Sequence, residues 1–100
     1  MVVVTPGHRY VMANFENPNE GQTIQFIEKV QENGVLTTVN DGTTNEEMLE
    51  VLKDRITHLN NILPCSENEL VLFHLGEAKR WLESRTYDRQ LRNVEGTSQQ

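Results

Sequence analysis

Three arginines, Arg85, Arg89 and Arg92, extend a line of apolar residues, Val71, Leu75, Ala78 and Leu82, in steps that alternate between four residues and three. On a helix this spacing keeps all seven side chains on one face. A guanidinium at the end of an inward-facing apolar stripe is costly unless a carboxylate or an anionic ligand lies opposite. Arginine also suits planar two-pronged contact with phosphate and stacking on a base. The seam therefore reads as the wall of an anion pocket. The plainer alternative is a solvated helix end whose cations complement the macrodipole. Against it stands the register, which puts Arg85 and Arg89 on the face of Ala78 and Leu82. Asp88, three residues from Arg85, reads as an ion-pair partner that orients Arg85 or Arg92 rather than as a catalytic acid.

Charge separates the candidate ligands. The 100 residues carry a net charge of −6. Between positions 79 and 92, five cations face two carboxylates, a local +3, while the other four cations face thirteen carboxylates, −9. Nucleic-acid affinity comes from many phosphate contacts at once, which an acidic chain opposes. A compact basic patch still accommodates one or two phosphates, so a small anionic ligand is expected and a nucleic-acid duplex is not.

A chain of this length is one domain and buries only about 60–65% of its unfolded surface, so help from a partner chain is expected. The apolar start, Met1 to Val4, is ended by Thr5, Pro6 and Gly7, and no run of about 18 apolar residues exists, which excludes a membrane-spanning helix and a secretory core. A single cysteine, Cys65, permits no intrachain disulfide and suits a reducing compartment. The expectation is a soluble intracellular protein.

Other reactive residues carry less. His8, His58 and His74 share no metal-ligand spacing with one another or with Cys65, so no metal site is expected. His58 falls on the first helix opposite the second, where an imidazole could stack on a base, although a satisfied, partly buried histidine is the commoner role. Cys65 sits before a helix start, yet nothing in the sequence places a base beside it. Trp81 and Phe73 have the spacing of core or partner-facing residues. Gly96 and Thr97 could offer a backbone N–H and a hydroxyl to a phosphate, but a short polar terminus is more often frayed. No phosphate loop, nucleophile elbow or carboxylate pair is present, and no cofactor is implied.

The elements that must position these residues fall into two regimes. From His8 to Asn40, alternating and β-branched residues predict antiparallel sheet, with strands near 9–16, 22–31 and 35–40. Asn17 to Gly21 is a turn by composition, and Asn33-Gly34 favours a tight hairpin. After Asp41-Gly42 the period becomes helical. Thr44 with Glu47 forms a capping box for a helix over about 45–61, Leu63-Pro64-Cys65 breaks it, and Ser66 with Glu69 caps a second helix to about 91. The fold class is α+β: an N-terminal antiparallel β-sheet of about three strands over 8–40, then a C-terminal antiparallel helical hairpin over 43–93 and a tail over 94–100.

Residues 81–97 read WLESRTYDRQLRNVEGT. This is similar to a pattern, W-L-x-x-R-T-x-D-R-x-x-R-G-V-E-G-T, of the phage Thoeris anti-defence sponge family, first type, whose helical hairpin is shared with an anti-CBASS nucleotide sponge. Residues 42–55, GTTNEEMLEVLKDR, resemble the family's G-x-T-N-E-x-L-L-x-x-x-x-D-R segment, and CSENE at 65–69 matches near the start of the second helix. The resemblance spans about residues 34–98.

The resemblance implies binding without chemistry, hence no enzyme. Such proteins act in the host bacterial cytoplasm and sequester glycocyclic ADP-ribose, the signal of Thoeris immunity, leaving it intact. Family pockets lie at a dimer interface between hairpins and the C-terminal tail. Homodimers assemble further into homohexamers in some members, and some also hold cyclic trinucleotides from CBASS at a separate site. Carried onto this chain, Arg85 and Arg89 would contact the pyrophosphate and adenine, with Thr86 and Arg92 in the same motif. Asn68 would supply a polar contact, and Val94, Glu95, Gly96 and Thr97 would close over the ligand. Two departures stand out. Asn93 replaces the family glycine and still tolerates a left-handed turn, while the family's stacking aromatic falls at His58. The competing expectation is an acidic phage inhibitor that binds a host protein directly. A nucleotide-cleaving enzyme is disfavoured by the lack of a general base.

Overall fold

The computed structural model describes residues 1–91, with side chains described through Tyr87. Five strands precede two helices: β1 (Val2–Thr5), β2 (Arg9–Ala13), β3 (Gly21–Gln25), β4 (Glu28–Glu32), β5 (Val35–Asn40), α1 (Asn45–Ile62) and α2 (Ser66–Leu91). Met1–Thr44 forms one compact unit, and a second begins at Asn45.

In the first unit β1, β2 and β3 form an antiparallel sheet in chain order, and β4 pairs with β5 as a separate antiparallel ribbon. The expected strand over 22–31 is therefore two strands in two sheets. The reason is non-local. Gln25 C=O accepts from the Thr43 N–H at 2.8 Å, and the Ile27 N–H donates to Thr43 C=O at 2.9 Å, so a lone parallel bridge, Phe26 to Thr43, takes the chain out of the first ladder. Gly42 permits this approach, because a Cβ there would collide with the backbone of Gln25 and Phe26. The sequence reading also lacked β1, whose Val2-Val3-Val4 run is β-branched and pairs with β2 through Val2–Val11 and Val3–Tyr10.

The turns follow their residue types. Asn33 (φ 51°) and Gly34 (φ 78°) both occupy the left-handed region between β4 and β5, as a two-residue primed turn requires. The 17–21 turn is closed by the Glu20 N–H donating to Asn17 C=O at 3.0 Å and the Asn19 N–H to Asn17 Oδ1 at 3.3 Å.

In the second unit the hairpin forms with both helices within a residue of their expected bounds. At the bend, Leu63 N–H still donates to Leu59 C=O (3.0 Å), and the Cys65 N–H donates to Asn60 Oδ1 (3.0 Å). The start of α2 differs in detail from the expected capping box. The first helical acceptor is Cys65 C=O, receiving the Glu69 N–H at 3.4 Å, which makes Ser66 the first helical residue, its hydroxyl 3.4 Å from Glu67 Oε2.

Among the described residues none is fully buried. Tyr10, Ile24, Phe26 and Ile27 are half-buried in the first unit, where the Tyr10 and Phe26 rings meet edge-to-face at 6.1 Å. Met48, Leu49, Ile56, Leu72, Leu75 and Leu82 are half-buried in the hairpin. Trp81 and Phe73, expected to face a core or a partner, are 63% and 62% exposed, so within this chain they are not core. No described helix is long and apolar enough to cross a membrane.

A candidate anion groove in the helical hairpin

Because α1 and α2 run antiparallel, the first turns of α1 lie beside the last described turns of α2. Here Asn45, Met48 and Leu49 from α1 and Ala78, Trp81, Leu82 and Arg85 from α2 line an open groove of about 590 Å³. The seam read from the sequence thus supplies one wall, with Ala78 and Leu82 as its hydrocarbon and Arg85 as its cation. Arg85 is exposed, and no described carboxylate pairs with it. A charge left hydrated beside apolar walls suits an incoming anion with an apolar body.

The other cations of α2 are committed. Lys79 Nζ spans the two helices to Glu50 Oε1 at 3.0 Å and lies 3.9 Å from Glu83 Oε1. Its hydrogen bond, with Lys53 also 3.5 Å away, holds the Glu50 carboxyl below its ordinary value, and Glu50 in turn raises the Lys79 ammonium. Arg80 Nη2 lies 2.9 Å from Glu77 Oε2, which lowers the Glu77 carboxyl, and the Arg80 guanidinium carbon sits 4.7 Å from the centre of the Trp81 ring. Among the described cations of α2, Arg85 is the one left for a ligand.

The remaining expected residues are only partly brought together. Thr86 is half-buried next to Arg85 on α2. Asn68, also half-buried, sits near the bend, 17 residues before Arg85 and about 25 Å away along the helix. His58 lies in the last turns of α1. It is exposed rather than partly buried, and Glu47, Glu50, Asp54, Arg55 and Leu59 of α1 lie around it. Of Arg89 only the helical backbone is described. Arg92, Val94, Glu95, Gly96 and Thr97 lie outside the described residues. Sequence reasoning missed Trp81 as a groove residue, because a tryptophan at helical spacing reads equally as core.

No protein-family model matches the chain. A 76-residue alignment with Thoeris anti-defense 1 of Bacillus phage SBSphiJ7 is 34% identical and takes in 64% of this chain and 54% of the phage protein. The chain therefore spans about half the length of the relative it matches. The chain is thus similar, over this alignment and in the motifs at 42–55 and 81–97, to a phage Thoeris anti-defence protein.

Proposed function

We propose that the chain is a phage anti-defence protein that binds and sequesters glycocyclic ADP-ribose in the host cytoplasm without cleaving it. One observation carries the reading. Arg85 lines an apolar groove inside the hairpin, exposed and with no described carboxylate on it, as an anion-binding residue should be before its ligand arrives. The named relative supports the anti-defence role. The protein works as a homodimer or homohexamer. That assembly is supported by the absence of a fully buried residue among the described ones and by the exposure of Ile62, Leu63, Leu70 and Phe73 on the hairpin. It would also unite Asn68 of one chain with Arg85 of another.

The test is to incubate the protein with glycocyclic ADP-ribose, measure depletion, then heat-denature it and analyse what is released. Intact nucleotide returned supports sequestration. An altered nucleotide identifies an enzyme, and no depletion leaves the acidic surface binding a host protein.

A further inference from the structure

Trp81 is fixed on one side and open on the other. Glu77 holds the Arg80 guanidinium through a 2.9 Å contact, and that guanidinium lies over the indole at 4.7 Å. Yet Trp81 is 63% exposed and lines the same groove as Arg85, one helical turn away. Beside Met48, Leu49 and Leu82 in the groove, the open indole presents a flat apolar face on which a planar ligand group can stack. A cation fixed over one indole face also limits how the ring turns, so less freedom is lost when a ligand stacks on it.

We propose that Trp81 is the base-stacking platform of the groove, receiving the purine of a nucleotide whose phosphates reach Arg85. This rests on the sequestration reading and extends it. It assigns base recognition to a residue on the same helix as the phosphate-binding arginine, and makes the ligand class one with both a purine and a pyrophosphate. His58 is not among the residues that line this groove, so stacking here does not draw on it. The Glu77–Arg80 pair acts as a positioning device behind the ring.

Trp81 is the only tryptophan, so intrinsic fluorescence reports on this position alone. Glycocyclic ADP-ribose is titrated into the full chain, following heat by calorimetry and indole emission together. The expected result is saturable heat with quenching at the same midpoint. Trp81→Leu keeps an apolar side chain but removes the stack, and should weaken binding roughly 5- to 150-fold, the range for a base stacked on an aromatic. Trp81→Phe should recover most of that loss, and light scattering should give the same mass for all three proteins. Heat without quenching, together with equal affinity for Trp81→Leu, overturns this inference and leaves sequestration standing. A fall in mass for Trp81→Leu that Trp81→Phe does not reverse makes the residue an assembly contact and overturns it too. Absence of heat from the unmodified protein overturns the sequestration reading and this inference with it.

Discussion

Arg85→Ala isolates the anion-binding step. In the ligand-free chain the side chain is exposed and no described carboxylate depends on it, so its removal strands no buried partner and folding should survive. The loss then falls on the ligand. A hydrogen bond to a charged group contributes about 1.5–3 kcal/mol, which is roughly a 10- to 150-fold rise in Kd. The cost belongs at the lower end, because the groove is open and water reaches the vacated position to solvate the phosphate. Arg85→Lys refines the test. It keeps the charge but loses the two-pronged donor geometry, so it should recover only part of the affinity. The assay is calorimetric titration with glycocyclic ADP-ribose on variants whose helicity by circular dichroism matches the parent. A folded Arg85→Ala protein with unchanged Kd would refute the assignment of the groove. Full recovery by lysine would show that charge alone is used.

Light scattering at micromolar concentration should give at least twice the chain mass, and a monomer mass contradicts the assembly reading. Acid should weaken the hairpin through Glu50. Its folded carboxyl titrates below the ordinary 4.5 because of Lys79, so the contribution is present above that value and lost as pH falls through the depressed one. Melting temperatures of the parent and Glu50→Gln should thus differ at neutral pH and converge in strong acid, and a constant gap refutes the linkage. Gly42→Ala forces a Cβ into the Gln25 and Phe26 backbone and should cost about 1–3 kcal/mol by urea unfolding. Gly76→Ala meets nothing within 4 Å and lies inside α2. It should stabilise by about 0.8–1 kcal/mol, and a loss instead shows a second chain packed on that spot.

The hairpin was legible because its signals are local. Thr44 ahead of a periodic apolar run, the Leu63-Pro64-Cys65 break and the apolar positions of α2 fixed both helices to within a residue. The sheet was legible as a class but not as a pairing. Nothing near Phe26 announces that its neighbour will be Thr43, so a run of strand-forming residues read as one strand where the ladder changes partner. At the site, the position of Arg85 beside Leu82 followed from spacing. Trp81 did not, because its openness depends on what α1 leaves uncovered and on Arg80 folding back over it.

The distance between the two ends of the hairpin has a genetic consequence. Asn68 near the bend and Arg85 at the open end cannot share one pocket within a single hairpin, but two hairpins laid side by side in opposite directions would place each against the other's counterpart. A two-fold pair then holds two composite pockets, each built from both chains. Two variants that each fail alone, Asn68→Ala and Arg85→Ala, would rescue one another when co-expressed, because the mixed pair retains one pocket with both native residues while concentrating both lesions in the other. Such complementation would restore up to half the binding capacity per mixed pair, whereas a pocket contained within one chain would allow none.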